Sequence, residues 1–183
     1  MKKIFKRFII FGVAISLIAF WFFGTRNDLI IQKANIEIQF SQIERALQKR
    51  SNTIPDIISV INDYSQHDET IFAKIDTTRS DLTQSIKSKN PKNIIEAYND
   101  LNSDIDMLML ISTYYPELKS DGRFINLQDE LAETENGILV VVNCYNEKVS
   151  NYNRAVQGFP TSIVAGISGY YPMEYFEADN NSE

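Results

Sequence analysis

The sequence predicts an all-α protein, in which an N-terminal transmembrane helix precedes an up-and-down four-helix bundle with long first and last helices. Three observations predict this fold. Residues 8–24 are 17 uncharged and mostly apolar positions that follow a basic tail at residues 1–7. Farther along, apolar residues recur at alternating steps of three and four, the period of an amphipathic helix. Strand-like alternation is nearly absent, because its one β-branched patch, residues 138–142, has helical period on both sides.

The uncharged stretch at residues 8–24 is typical of a membrane span. At about 1.5 Å rise per residue it is ~26 Å long, close to the lower limit for crossing the hydrocarbon core. Trp21 lies near its far end, where an indole suits the membrane interface. A cleaved signal peptide has a similar pattern, but the bulky residues 21–23 do not fit a signal peptidase site. We therefore predict an uncleaved signal-anchor whose partner is the lipid bilayer.

The charges on either side of this span predict its orientation. Four basic residues lie within residues 1–7, and only Arg26 and Lys33 closely follow the span. Because cytoplasmic flanks carry the excess of basic residues, we expect a single-pass protein with a cytoplasmic N-terminus and the bundle on the outer face of the membrane. Arg45, Lys49 and Arg50, farther along the chain, weaken this bias.

The first bundle helix is predicted over residues 28–65. Its apolar stripe consists of Ile36, Phe40, Ile43, Leu47, Ile54, Ile57 or Ile58, Ile61 and Tyr64. Pro55 interrupts the stripe, lacks the N–H of a helical hydrogen bond and disfavours helix at the residue before it. We therefore expect a kink or a new helix start there, with Thr53 as the cap.

Two shorter helices are predicted in the middle of the chain. The first begins at Ser65 or Asp68, and its stripe is Phe72, Ile75, Arg79, Leu82 and Ile86. A turn at residues 88–91 follows, with Pro91 at the first position of the next helix. The stripe of that helix is Ile94, Tyr98, Leu101, Ile105, Leu108 and Ile111. Residues 114–116 end it, and residues 116–120 can hold an extra helical turn.

The last bundle helix is predicted over residues 122–157, so that the bundle comprises residues 28–157. Its stripe keeps helical period for 33 residues: Phe124, Leu127, Leu131, Thr134, Ile138, Val141, Tyr145, Val149, Tyr152 and Val156. Up-and-down packing pairs the two long helices and places the shorter hairpin against their membrane-distal part. The last helix is then expected to end near the bilayer.

Residues 158–176 contain no basic residue, three Gly, two Pro and many aromatic side chains. If the last helix ends near the bilayer, this apolar C-terminal segment lies near the membrane end of the bundle. Two interpretations remain open, an irregular strip that covers the open end of the bundle and a segment that docks at the lipid interface or on a partner. Residues 177–183 are polar, and we expect them to be disordered.

Residue types that carry out catalysis are scarce. With one Cys, Cys144, and one His, His67, an intramolecular disulfide is impossible and a tetrahedral zinc site lacks ligands. Cys144 lies in an apolar run of a predicted helix, which favours a buried, inert thiol, and His67 lies at a helix junction, which favours a solvated or capping role. No phosphate loop, GxSxG or HExxH motif occurs. We predict no enzymatic activity, no catalytic, metal or cofactor-binding residues, and no cofactor.

Charged and amide side chains accompany both long helices. We interpret Asp129, Glu130, Glu133 and Glu135 as a solvated acidic face, because a di-iron site in a bundle needs Glu-x-x-His on two helices. A second set can bond across the seam between the long helices: Ser41, Gln42, Glu44, Arg45, Gln48, Lys49, Arg50, Gln128, Glu135, Asn136, Asn143, Asn146 and Asn153. Such bonds fix register at a cost in stability. We interpret this predicted seam as structural, with a binding surface as the alternative.

The charge balance excludes one class of partner. The whole chain has a formal charge of −6, but residues 1–24 hold four of its 18 basic residues and none of its 24 acidic ones. The remainder therefore has a net charge of about −10, which repels phosphate backbones. We expect no nucleic-acid partner.

Four motifs resemble the LemA family of bacterial membrane proteins. They are FSQIERALQKRSNTIPDII at residues 40–58, TYYPELKSDGRFINLQDELAETENGI at 113–138, YNEKVSNYNRAVQGFP at 145–160, and YF at 175–176. The family usually has Trp where Phe40 stands and commonly has a basic residue near Asn143. The absence of that basic residue here removes a possible partner for Glu135 or a neighbouring residue. The resemblance implies a transmembrane segment followed by a helical bundle, with no established activity, cofactor or catalytic residue. Some relatives are associated with membrane organisation or organelle assembly.

These observations predict a membrane-anchored helical interaction or scaffold protein, which binds a protein partner or self-associates. The alternative is a small-ligand or stress sensor that uses the predicted seam or the apolar C-terminal segment.

Overall fold

The computed structural model describes residues 2–64 and 69–177, with side chains for residues 5–64 and 70–177. The described residues form helices and no strand: α1 Lys2–Asn62, α2 Glu69–Ser88, α3 Pro91–Ser112, α4 Gly122–Gln157 and α5 Thr161–Ser168. A short 3-10 turn, Leu118–Ser120, precedes α4. The predicted all-α fold with long first and last helices is confirmed. The start of a helix at Ser65 or Asp68, the role of His67 and the state of residues 178–183 lie outside the described residues.

Helix α1 corrects one prediction, because it continues through Pro55 without ending. The Thr53 hydroxyl does not cap a new helix; it donates to the Lys49 carbonyl (3.4 Å) and to Glu130 Oε1 (3.1 Å). The predicted helix start at this point is therefore wrong. Ile54 and Ile57 are buried on either side of the exposed proline. Their packing offsets the one hydrogen bond that Pro55 removes.

The contacts divide the chain into two compact units. The first unit contains Met1–Ile38 and Asn146–Tyr175, and the second contains Gln39–Tyr145 and Phe176–Glu183. Both α1 and α4 contribute residues to each unit. The predicted limits of the anchor and bundle, at residues 24, 28 and 157, stay predictions.

In the second unit, α1 and α4 pack against each other in opposite directions. The rings of Phe40 and Tyr145 have centroids 5.8 Å apart, and Lys49 Nζ lies 3.6 Å from Glu133 Oε1. The predicted stripes supply buried core residues from four helices: Ile43, Leu47, Ile54, Ile57, Ile61, Ile75, Leu82, Ile94, Tyr98, Leu101, Ile105, Leu108, Phe124, Leu131 and Ile138. The helical period of the sequence therefore identifies the core.

Helices α2 and α3 form the predicted hairpin. Lys89 has a positive φ of 54° in the turn, and the Asn90 side chain accepts a hydrogen bond from the Lys92 backbone N–H at 3.0 Å. Pro91 takes the first helical position, where its missing N–H would have no partner in the helix. On the packed face, the buried Asp104 carboxylate accepts bonds from Lys74 Nζ and from the Thr78 hydroxyl (3.0 Å).

The apolar C-terminal segment belongs to the first unit for most of its length, and part of it is helical. The interpretation of residues 158–176 as an irregular strip is therefore wrong for α5, which buries Val164 and Ala165. Helix α5 follows a cis Phe159–Pro160 bond and ends at Gly169, where φ is +74°. The N–H groups of Gly169 and Tyr170 both reach the Ala165 carbonyl, which satisfies the end of the helix.

Candidate functional site

Residues 8–24 of α1 present apolar side chains on every side. No residue between 5 and 28 is buried, and Phe8, Leu17 and Phe20 are 71%, 64% and 82% exposed. Among the described residues, this is the one helix long and apolar enough to cross a membrane. A helix that is apolar all round requires an apolar environment, which a bilayer provides. Residues 8–24 therefore constitute a candidate single-pass membrane anchor.

A polar cluster centred on Arg50 lies within the second unit. Arg50 is 7% exposed, and all three of its guanidinium nitrogens have protein partners. Its Nε donates to Asn102 Oδ1 at 3.1 Å, its Nη1 donates to the Leu131 carbonyl at 2.8 Å and to Thr134 Oγ1 at 3.4 Å, and its Nη2 lies 3.2 Å from Glu135 Oε2. We call Arg50, Tyr98, Asn102, Thr134 and Glu135 the Arg50 cluster. It joins α1, α3 and α4 through one side chain.

Glu135 also accepts a hydrogen bond from the Tyr98 hydroxyl, at 2.7 Å. Burial, more than this bond, raises the pKa of Tyr98 well above its usual range, because a phenolate would lose its hydration there. The Tyr98 hydroxyl is therefore a hydrogen-bond donor at every physiological pH.

Two more contacts between α1 and α4 flank the Arg50 cluster. Thr53 donates to Glu130, as described above, and Lys49 pairs with Glu133, whose side chain is 77% exposed. The predicted solvated acidic face on α4 is therefore correct for Glu133 and wrong for Glu130 and Glu135. The reason is that Glu130 and Glu135 lie on the edges of the buried stripe, where the polar groups of α1 reach them.

The predicted seam is confirmed at Lys49, Arg50 and Glu135, but several of its members lie elsewhere. Gln48 bonds to Asn52 of its own helix at 3.1 Å, and Gln128 contacts the Met109 sulfur at 3.5 Å. Arg45, Asn136 and Asn143 are exposed. Asn102 was not anticipated, because it lies off the apolar stripe of α3 and only the register of three helices brings it to Arg50.

A second polar cluster joins the C-terminal end of α1 to the start of α4. The Tyr64 hydroxyl donates to Asp121 Oδ2 at 2.8 Å, and the Arg123 guanidinium bridges Asp121 (2.8 Å) and Asp63 (3.0 Å). The Asp121 carboxylate also accepts from the Arg123 backbone N–H at 2.8 Å. The side chain and the backbone N–H of Arg123 hold the pKa of Asp121 well below its usual range. The same carboxylate raises the pKa of Tyr64, which donates to it.

Acidic and hydroxyl side chains line a groove of about 250 Å³ between α2 and α3. Its walls are Thr78, Asp81, Ser85, Asn93, Glu96, Ala97 and Asp100. The described residues contain no group of three or more His, Cys, Asp or Glu side chains arranged to hold a metal ion. The groove is consistent with a hydrated acidic surface.

Cys144 corrects another prediction, because its side chain is exposed rather than buried. It lies on α4 between the core residues Val142 and Tyr145, and its helical phase turns it away from both. The prediction relied on the apolar run before Cys144 and overlooked this phase.

In the first unit, Asn153 holds the end of the chain against α4. Its side-chain Nδ2 donates to the Met173 carbonyl and its Oδ1 accepts from the Met173 N–H, both at 2.8 Å. Asn153 is 9% exposed, so these bonds are largely shielded from water. Asn153 thus binds the backbone of Met173, after α5, and does not form the predicted bond across the seam.

Comparisons with known proteins confirm the resemblance to the LemA family. The model of the LemA family matches residues 39–183. The chain is similar to Protein LemA of Metamycoplasma hominis, with 23% identity over 172 residues that cover 93% of this chain and 78% of that protein. It is also similar to the magnetosome proteins MamQ 1 and MamQ 2 of Paramagnetospirillum magneticum, each with 20% identity over 174 residues that cover 82% of this chain and 64% of the relative.

Proposed function

The chain belongs to the LemA family, and from this premise we propose that it is a non-catalytic scaffold that binds a protein partner or a second copy of itself at a membrane. Residues 8–24 anchor it, and the helical bundle presents the binding surface. The proposal names no ligand and no cofactor.

The continuity of α1 is the observation that carries the proposal. One helix, Lys2–Asn62, contains both the exposed apolar stretch and the buried stripe of Ile43, Leu47 and Ile54. No flexible linker separates the two. The same helix thus carries the candidate anchor and part of the helical bundle, which supports a role at the membrane.

The Arg50 cluster supports a structural role for the polar groups between the helices. Each guanidinium nitrogen of Arg50 already has a partner within the protein. A ligand at this position would have to displace those partners and leave a buried charge unpaired, which is costly. The alternative of a small-ligand sensor that uses these groups is therefore the weaker one.

The names of the relatives add modest support. Two of them are named magnetosome proteins, which associates those relatives with an assembled cell structure. For this chain we propose only that it is part of an assembly.

Site-specific photocrosslinking in native membranes tests the proposal. A photoreactive residue is placed at Leu110 or Val140, apolar positions of the second unit that are each 61% exposed, and at the exposed polar Lys119 as the matched control. We expect a discrete higher-mass adduct from at least one apolar position and none from Lys119. Recovery of monomer alone from every position, in several growth conditions, would contradict a scaffold.

Orientation is a separate part of the proposal. The excess of basic residues before the span supports a cytoplasmic N-terminus with the bundle on the outer face. Protease added to intact cells should then digest the bundle. Full protection until the cells are lysed would reverse the orientation and leave the scaffold role standing.

A further inference from the structure

The outer face of the apolar C-terminal segment is exposed and apolar. Phe159, Ile163, Ile167 and Tyr171 are 84%, 51%, 71% and 71% exposed, while Val164 and Ala165 face inward and are buried. Ile163 and Ile167 are one helical turn apart on α5, so they lie on one side of it. Helix α5 is therefore apolar on its outer as well as its inner side, unlike a helix that faces water.

This face carries no charge. No Lys, Arg, Asp or Glu occurs from Gly158 to Met173, and Glu174 is the first charged residue. The segment can enter a region of low dielectric without burying an ion.

The structure holds this face in place. The N–H of Gly158 donates to the Arg154 carbonyl at 2.8 Å. A Cβ on residue 158 would lie 2.8 Å from the same oxygen, so the backbone approach requires glycine. Gly169 ends α5 in the left-handed conformation, and Asn153 binds Met173 through two hydrogen bonds. The exposed apolar side chains thus belong to a segment that is bonded to α4 at both of its ends.

The position of the apolar C-terminal segment along α1 points to the bilayer. In the first unit, the buried and half-buried positions of α1 follow a helical stripe: Ala19, Phe22, Thr25, Leu29, Gln32 and Ile36. The stripe begins inside the uncharged stretch 8–24. The part of the chain that shares this unit, Asn146–Tyr175, therefore packs along α1 from within the span onward.

We propose that the outer face formed by Phe159, Ile163, Ile167 and Tyr171 is a second membrane contact, which lies in the headgroup and upper acyl region of the bilayer that holds α1. Aromatic and aliphatic side chains on a short uncharged helix suit that boundary. This inference rests on the membrane anchor of the proposed function. It assigns the face to lipid and not to a protein.

Depth-dependent tryptophan quenching in nanodiscs tests the inference. Trp21 is the single tryptophan of the chain, so the wild-type protein reports on the anchor alone. On a Trp21→Phe background, Ile167→Trp and Phe159→Trp report on the face, and Tyr114→Trp, at a position 77% exposed in the second unit, is the matched control. Each full-length variant is placed in phosphatidylcholine with and without brominated acyl chains.

We expect brominated lipid to reduce the emission of Trp21 and of the tryptophans at positions 167 and 159 at least twofold, and to leave that at position 114 unchanged. Quenching of Trp21 without quenching at positions 167 and 159 would overturn the inference and leave the anchor intact. Absence of quenching at Trp21 would overturn both. Protection of the two face tryptophans from aqueous acrylamide without bromolipid quenching would show that protein covers the face, and would overturn the inference as well.

Discussion

Two parts of one helix, α1, use the same residue types in opposite ways. Between residues 8 and 20, the Phe, Ile and Leu side chains are exposed, whereas Ile43, Leu47, Ile54 and Ile61 are completely buried. The difference lies in the pattern. The first part is apolar all round, and the second places apolar residues at steps of three and four with polar residues between them. Periodicity therefore decides whether an apolar helix faces lipid or protein.

The two parts also treat charge differently. The span contains no charged residue, while the later part buries Arg50 and gives each of its guanidinium nitrogens a partner. A bilayer offers no such partners, and a bundle does.

Removal of Arg50 is the change with the largest expected effect on the second part of α1. Arg50→Ala should lower the free energy of unfolding by about 3–5 kcal/mol, toward the lower figure because the remaining Glu135 side chain is 33% exposed and can hydrate. Lys49→Ala removes a neighbouring pair on the surface and should cost no more than about 1 kcal/mol. Chemical denaturation followed by circular dichroism in detergent measures both. Equal losses would show that the Arg50 cluster is not a structural centre.

Paired leucine substitutions test the comparison between the two parts directly. Leu47→Ala should lower the unfolding free energy by about 2–5 kcal/mol, because it opens a cavity at a position with no exposed surface. Leu17→Ala, in the span, should change it by less than about 0.5 kcal/mol. The same denaturation assay applies. A loss at Leu17 as large as that at Leu47 would mean that protein, and not lipid, covers the span.

Ser51 should show a smaller change of opposite sign. It is 1% exposed, and its hydroxyl has no hydrogen-bond partner, unlike the side chain of its neighbour Arg50. Ser51→Ala removes an unsatisfied buried group and should leave stability unchanged or raise it by about 1 kcal/mol. A clear decrease in the thermal midpoint would reveal a partner for the hydroxyl.

The cluster of Tyr64, Asp121 and Arg123 should show the smallest effect, and one that depends on pH. Because the folded chain lowers the pKa of Asp121, the ionised carboxylate stabilises the fold at pH values above the unfolded pKa, about 4. This contribution is lost as the pH falls below 4 toward the folded pKa. Asp121→Asn should therefore lower stability at pH 7 and flatten its decline below pH 4. A decline identical to that of wild type would contradict the assignment.

Local signals predicted much of the fold. The period of the fourth stripe and the Gly122 turn gave residues 122–157, the bounds that α4 has. Pro91 likewise marked the start of α3, because the geometry of a proline restricts only the residues next to it.

Features that depend on tertiary contacts were harder to predict. Pro55 signals a helix end locally, but the burial of Ile54 and Ile57 overrides that signal. The partners of Arg50 come from positions 52 to 85 residues away, and only the register of α1, α3 and α4 selects them. Helix α5 is eight residues long and is held by its end contacts, so its periodicity was too short to detect.

Cysteine accessibility along α1 tests the central claim most directly. On a Cys144→Ala background, single cysteines replace Leu17, Ile38 and Leu47, and a membrane-impermeant maleimide is added to open membrane fragments. Ile38 is 56% exposed, so its cysteine should react, whereas those at 17 and 47 should not. Urea should then make position 47 reactive and leave position 17 protected by lipid. Reaction at position 17 as fast as at position 38, without urea, would contradict the account.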